Sequence, residues 1–449
     1  MDFRKEYEQK LTTPEEAAKV VKSGDWIDYG HASTVPTLVD RAIAARAEEL
    51  EDINIRALLV FHPLAIYEAN ERVGRKVFTM NSWHFGGTER KRAAEGDAFF
   101  IPMRFYELPY FYRREDEVER VDVAVLAVST MDENGNFSFG MGASHSTETV
   151  RRAKYVILEE NPNIPHTFGL FDDVVNIRDV DAVVKSDAPM DVMGNSTPSE
   201  TDKKIADLII PMIPSGATIQ IGIGGLPDAV GAGIVDSDLH DLGVHTEMYV
   251  DSMVKMAKAG KITGKYKTVN RGKQVFAFGA GSQEMYDYVD HNPAIATASV
   301  DYVNDPKVIM AHDNFISINT AIQVDLMGQV SAESTGFRHI SGTGGQLDFV
   351  IGAYRSNGGK SIVALNATHT DKKGNVTSNI VQSFKPGTIV TDPRSAVHYI
   401  ATEYGIYNFK GKSTWQRAEA LVNLAHPDFR DELIQQAEEM GIWRQSNKR

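Results

Sequence analysis

Three short stretches hold the residues best suited to chemistry. The first is Gly222-Ile223-Gly224-Gly225-Leu226-Pro227, which follows an apolar strand and opens a helix. Glycine lets the backbone approach a ligand, and N–H groups at a helix start attract negative charge. A dinucleotide fingerprint would lie here, with Glu247, 25 residues past Gly222, near the place of the ribose-binding acid. Its third glycine falls at Pro227, and Gly279-Ala280-Gly281 and Gly342-Thr343-Gly344 lack theirs too, which demotes a dehydrogenase. The second stretch is Val244-His245-Thr246-Glu247-Met248-Tyr249, an acid ending a short apolar run before a helix predicted from about Asp251. Strand ends are where open α/β sheets place ligands. On the hexapeptide alone, Glu247 reads first as a helix-start or solvated surface acid. The third is Ser341-Gly342-Thr343-Gly344-Gly345-Gln346-Leu347-Asp348-Phe349, backbone wrapped against a ligand, a turn before a hairpin, or both.

Other chemistries lack their residues. There is no cysteine, so thiolate nucleophiles, disulfides and thiolate metal sites are excluded. Gly359-Lys360-Ser361 and Gly411-Lys412-Ser413 would need glycine where Tyr354 and Ile406 stand to form phosphate loops. No His-Glu-x-x-His occurs, and Gly142-Ala143-Ser144-His145-Ser146 ends in Ser where a nucleophile elbow needs Gly. No metal site is expected. Lys255, Lys258, Lys261, Lys265, Lys267, Arg271 and Lys273 form a basic run that meets ligand phosphates or, the reading preferred here, covers a solvated helix face.

The elements that must position these residues read as α/β. Thr13-Pro14-Glu15-Glu16 starts a helix, and a second is predicted from about Pro36. Strand-like runs recur at residues 26–29, 53–59, 121–128 and 155–158, with helical stretches between them, which argues for mostly parallel sheets. Ser413 is predicted to cap a C-terminal helix, and Pro427, after His426, to start another. Residues 23–30 echo 215–222, and Pro36 and Val39 echo Pro227 and Val230. A second echo joins Asp132-Glu133-Asn134-Gly135-Asn136, after a strand at 123–128, to Asp371-Lys372-Lys373-Gly374-Asn375, after one at 362–365. Two echoes in one order suggest two related halves. The polar, Pro- and Gly-rich segment 186–201 marks the boundary, giving domains 1–195 and 196–449.

Of 449 residues, 42% are hydrophobic and 24% charged, ordinary for a soluble globular chain. A net charge of −14 disfavours nonspecific nucleic-acid binding. No apolar run approaches the length of a membrane span. The charged start, Met1-Asp2-Phe3-Arg4-Lys5-Glu6, has no apolar signal core behind it, and a cytoplasmic protein is expected.

Taken together, these motifs resemble the family I coenzyme A transferases. The resemblance rests on Gly222-Ile223-Gly224-Gly225 with Pro227 and Val230, His245-Thr246-Glu247-Met248, and Gly344-Gly345-Gln346-x-Asp348-Phe349. Thr402-Glu403-Tyr404-Gly405, Arg417-Ala418-x-Ala420-Leu421 and Ala425-His426-Pro427-Asp428-Phe429 complete it, so it spans nearly the whole chain. Asp228 departs from the Asn many members carry after the proline, and either perturbs the loop or caps the helix.

The resemblance implies a fold of two related open α/β domains of the CoA-transferase (NagB/RpiA-like) type, with the active site between them. It implies that Glu247 is the nucleophile and forms a glutamyl-CoA thioester. Contacts to CoA or the oxyanion are implied at Gly222, Ile223, Gly224, Gly225, Leu226, Ile322, Gly344, Gly345, Gln346 and Lys372. Gly30, His31, Trp83 and Gln220 are expected around the acyl group, with Gln220 and Gln346 as candidate amide donors; Tyr106, Glu107 and Tyr110 could join them. Asn81-Ser82-Trp83-His84 and Glu107-Leu108-Pro109 resemble the butyryl-specific members. The expected reaction moves CoA between butyryl-CoA and acetate, as in fermentative butyrate formation. Coenzyme A enters as acyl-CoA substrate, no cofactor is tightly bound, the partners are short-chain carboxylates, and a homo-oligomer is expected. Alternatives are a 4-hydroxybutyrate or propionate enzyme of the same mechanism, a non-catalytic acyl-CoA binder, and the demoted dehydrogenase.

Overall fold

The structure is a computed structural model, and it describes residues 2–114, 116–194 and 196–444. Contacts group the chain into two units. One comprises Met1–Gly194, Glu247–Asp251 and Lys273–Asn304; the other comprises Asn195–Thr246, Ser252–Gly272 and Asp305–Arg449.

The first unit is built on an eight-stranded, wholly parallel sheet. Its strand order is Leu11–Thr12, Ala182–Lys185, Ala153–Glu160, Val121–Val128, Trp26–His31, Ile53–Leu58, Phe78–Ser82, Ala98–Phe100. Val121–Val128 is buried at every residue, as a strand covered on both faces must be. Ile27, Tyr29, Ile53, Ile55, Val123 and Val125 build the core with Val39 and Ile43 of the helix Leu38–Ala45. The predicted Thr13 cap is present, its hydroxyl accepting the Glu16 N–H before the helix Pro14–Ala18. The helix predicted from Pro36 starts two residues later, after a short 3-10 turn, Ala32–Thr34.

In the second unit five parallel strands run in the order Gly243–Tyr249, Thr218–Ile221, Phe315–Thr320, Lys360–Ala364, Tyr399–Thr402. Gly405–Asn408 adds an antiparallel edge. Ser413 caps the helix Thr414–Leu424, and His426 with Pro427 opens Pro427–Glu439; both helices pack on Val363, Ile400 and Leu365.

The first echo corresponds to topology. Trp26–His31 sits between the next strand of the chain, Ile53–Leu58, and Val121–Val128; Thr218–Ile221 sits likewise between Gly243–Tyr249 and Phe315–Thr320. The second echo is one strand out of step. The Asp132 turn follows the strand beside Trp26–His31, but the Asp371 turn follows Lys360–Ala364, one strand further from Thr218–Ile221. The equivalent turn is Asp325-Leu326-Met327-Gly328-Gln329, where Asp325 Oδ1 accepts the N–H of Met327 and Gln329. Asp132 Oδ1 does the same for Asn134 and Asn136. Gln329 in place of Asn hid the match.

Domains 1–195 and 196–449 were expected to be contiguous, whereas the contact units interleave within Gly243–Tyr249. Glu247, expected in the C-terminal domain, groups with the first unit. Packing decides this: Tyr249 donates its hydroxyl to Gln274 at 2.8 Å, and the N–H of Gly279 donates to Met141 O at 2.9 Å.

Candidate active site

Glu247 stands on the strand Gly243–Tyr249, half-buried while its strand neighbours are buried. Its Oε2 accepts the amide N–H of Asn304 at 2.6 Å. Asn304 is fully buried at the end of the helix Val300–Val303, and its own Oδ1 has no hydrogen-bond partner. That bond fixes one carboxylate oxygen and leaves the acid partly open to solvent. The sequence offered no signal for Asn304, a lone amide 57 residues from its partner.

In the second unit, Gly224 has φ +110 and ψ −178, a conformation open essentially to glycine alone, and it caps the helix Gly225–Asp236. The N–H of Gly222 donates to Ile318 O at 3.1 Å, so this donor ties the loop to the sheet. The N–H groups of Ile223, Gly224, Gly225 and Leu226 find no acceptor among the described residues. Residues 223–227 border an open cavity of about 220 Å³ that is also lined by Thr320, Ala321, Leu365 and Asn366. Ile223 is 46% exposed, an apolar side chain held out on the loop. A Cβ on Gly225 would lie 2.8 Å from Asp202 Oδ2, so the glycine lets the loop pass that carboxylate. Asp228 lies in the first helical turn, where the helix dipole favours an acid.

The other expected contacts lie elsewhere in the same unit. Gly344, at φ +51, and Gly345 precede the helix Gln346–Arg355. Ile322 is half-buried and donates its N–H to Ser331 O. Lys372 is exposed at the tip of the hairpin Thr368–Thr370 and Val376–Ser378, and is not among the residues around the cavity. The two amides expected as donors are already engaged. Gln220 exchanges two 3.2 Å bonds with Asn319, and Gln346 donates to Asp392 at 2.7 Å.

In the first unit, Gly30, His31 and Trp83 are buried. A Cβ on Gly30 would meet Thr34 Oγ1 at 2.0 Å, so the tight turn after His31 requires glycine. His31 has no hydrogen-bond partner on either ring nitrogen, packs against His145 and Phe278, and is held neutral by burial. A cavity of about 640 Å³ in this unit lies among Asp40, Glu68, Glu159, Asp187 and Asp191, with Arg41 and His62. Its carboxylates suit an anionic substrate poorly. Glu159 already satisfies the N–H groups of Thr37, Leu38 and Val39.

The basic run is not uniformly a solvated face. Lys255 and Lys258 are exposed, but Lys267 is 3% exposed and donates to Val244 O at 2.8 Å. Burial lowers its ammonium to about 7. Gly243 makes room for it, since a Cβ there would meet Lys267 Cγ at 2.4 Å. Among the described residues no group of three or more His, Asp or Glu could hold a metal ion.

Comparison with known proteins places these motifs in a lineage. Residues 1–193 match the acetyl-CoA hydrolase/transferase N-terminal domain, and residues 281–437 match its C-terminal domain. The chain belongs to the acetyl-CoA hydrolase/transferase family. Within the family it is 52% identical over 450 residues to the butyryl-CoA:acetate CoA-transferase of Anaerostipes caccae, covering 100% of both chains. It is 38% identical over 436 residues to the 4-hydroxybutyrate coenzyme A transferase of Clostridium kluyveri, covering 97% of this chain and 98% of that protein. Among solved structures, RipA from Yersinia pestis superposes with a TM-score of 0.89 at 36% identity, covering 98% of this chain and 100% of that one.

Proposed function

We propose that this protein is a CoA-transferase that moves CoA between butyryl-CoA and acetate through a thioester on Glu247. The observation that carries the reading is a half-buried carboxylate fixed by Asn304 on the strand where the family resemblance puts its nucleophile. The full-length identity to the Anaerostipes caccae enzyme, higher than to the 4-hydroxybutyrate enzyme, supports butyrate as the acid.

A carboxylate is ionised at neutral pH and needs no base to attack. The Glu247 carboxylate adds to the acyl-CoA carbonyl, and CoA leaves as thiolate from a mixed anhydride. The thiolate then attacks the glutamyl carbonyl and releases butyrate, so the enzyme keeps the bond energy as glutamyl-CoA. Acetate attacks that thioester, and the returning thiolate takes the acetyl group. Glu247 is regenerated, in a ping-pong cycle. The N–H groups of residues 223–226 are the proposed donors to CoA and to the oxyanions. Asn304 holds Glu247 in the attacking orientation. A homo-oligomer in the cytoplasm is the working state proposed, readable by light scattering and fractionation.

The test is mass spectrometry of the Glu247 peptide after incubation with butyryl-CoA alone and trapping with hydroxylamine or borohydride. A mass change at Glu247 that added acetate abolishes is expected. An unmodified Glu247 in protein that demonstrably binds CoA esters would make the chain a binder rather than an enzyme. Competition among butyrate, 4-hydroxybutyrate and propionate then ranks the acids.

A further inference from the structure

The echo between residues 23–30 and 215–222 pairs Tyr29 with Ile221, and the sheet ladders carry that pairing outward. In the first unit Tyr29 pairs with Val125 and, two residues on, Ala127 pairs with Glu159. In the second unit Ile221 pairs with Ile318 and, two residues on, Thr320 pairs with Ala364. Glu159 and Ala364 therefore hold one place in two sheets, and an asparagine, Asn161 or Asn366, follows each by two residues. Ala127, Glu159 and Asn161 line the cavity of about 640 Å³ in the first unit. Their counterparts Thr320, Ala364 and Asn366 line the cavity of about 220 Å³ in the second. Each cavity lies at the strand ends where the strand order reverses, the place where open α/β sheets take ligands.

The two differ in what meets the helix that starts there. Glu159 is 1% exposed and accepts the N–H groups of Thr37 at 3.1 Å, Leu38 at 2.9 Å and Val39 at 3.1 Å. These are the N-cap and first two residues of the helix Leu38–Ala45. The same positions of the helix Gly225–Asp236 are Gly224, Gly225 and Leu226, whose N–H groups find no acceptor among the described residues. Ala364 has no side-chain oxygen to offer them. The connections differ in length, residues 32–37 against 222–224, yet both end on the same three donors. Asp202 also lines the second cavity, but its Oδ2 is engaged by the Ser199 N–H at 2.9 Å and hydroxyl at 2.7 Å.

We infer that the two cavities are one anion site in duplicate, and that the residue at the Glu159 and Ala364 position decides its use. Glu159 fills the first with the chain's own carboxylate. Ala364 leaves the second open to an anionic oxygen of the substrate, from a phosphate of CoA or from the oxyanion of the reaction. The substrate part rests on the reading that the N–H groups of residues 223–226 serve CoA. A helix start favours negative charge, and three N–H groups on one carboxylate give it what a phosphate or oxyanion would receive there. Asp40, Asp187 and Asp191 around the first cavity repel a further anion, so one chain offers one CoA site.

The test is Tm, kcat and KM for butyryl-CoA in A364E and A364L, with the Tm of E159A in sodium formate and in sodium chloride at one ionic strength. A364E sets a carboxylate where Glu159 stands in the first unit. Its Tm stays within about 2 °C of wild type because the carboxylate meets the loop donors, whereas the apolar A364L falls further. In A364E, KM rises at least about tenfold if the donors hold a phosphate of CoA, and kcat falls as much if they hold the oxyanion. E159A loses about 4 °C or more, and formate, a free carboxylate, restores at least half of the loss while leaving wild type unmoved. Should E159A fail to fold in chloride, recovery of soluble protein in formate reads the same restoration. An E159A that ignores formate overturns the inference, as does an A364E no more stable than A364L. A stable A364E with wild-type kcat and KM overturns instead the reading that the loop serves CoA. Failure of the Glu247 reading shows differently again, as a Glu247 peptide that never gains mass whatever stands at 364.

Discussion

Glu247 gets two things from its surroundings, a fixed orientation and access. Asn304 supplies the first through a 2.6 Å bond to Oε2. The half-open strand position supplies the second. Shortening the acid by one methylene moves the attacking oxygen by about 1 Å, so Glu247→Asp should lose roughly 10²-fold in kcat. Asn304→Ala keeps the proposed nucleophile and removes this bond, and a lost bond to a charged acceptor is worth about tenfold or more in rate. Steady-state kcat of the two variants checks both; near-wild-type turnover in either removes that residue from the machinery. The family resemblance points to Glu247 through an ordered set of motifs, whereas the hexapeptide around it reads first as a helix-start or surface acid. Asn304, Asn319 and Asp392 were not legible, because each is a single polar residue whose partner is remote in the chain.

At the scale of elements, the Gly-rich loop works by conformation more than by space. A Cβ at Gly224 would meet nothing within 4 Å, so no clash forbids a side chain there. Its φ of +110 forbids it instead. Gly224→Val should cost roughly 1–3 kcal/mol in the native loop, or move the donors of residues 223–226 if the loop relaxes. Either way KM for acyl-CoA should rise at least about fivefold, read by initial rates, while Glu247 remains intact. Kinetics identical to wild type would show that the stretch is only a turn. Strand–turn–helix order was readable from glycine spacing and apolar runs. The loop's inner accounting was not: Gly222 spends its N–H on Ile318, and Gln220 and Gln346 spend their amides on Asn319 and Asp392.

For the whole molecule, charge and burial set the response to acid. No helix among the described residues is long and apolar enough to cross a membrane. Several histidines are held neutral inside. Burial and the Arg56 charge lower His145 to about 3, and burial with the Lys267 charge lowers His312 to about 4. A depressed histidine takes up its proton in the unfolded chain first, near 6.5, so its stabilisation is whole above that pH. It is lost as the pH falls toward the folded value. Asp392 and Asp40, raised to about 7 and about 6, act in the opposite sense, binding their protons in the folded state. The histidine part can be isolated with His145→Gln. The Tm of wild type minus that of the variant should shrink as the pH falls from 7 to 4, by on the order of 2 °C per unit below 6. Parallel Tm curves would mean that His145 titrates freely in the folded protein.

By itself the sequence determined the class of architecture, the exclusion of thiol chemistry and the glycine loop. Those rest on local causes: strand periodicity, turn chemistry, helix starts and residue types present or absent. Tertiary structure decided everything that needs two distant residues at once. It paired Asn304 with Glu247, sank Lys267 beneath Val244, and set Asp392 against Gln346. It also matched the Asp132 turn to Asp325 rather than Asp371, because sheet order, not sequence likeness, defines equivalence. A buried polar group must find a partner or lose about 1–3 kcal/mol, and which partner it finds depends on the fold that brings the two chain segments together.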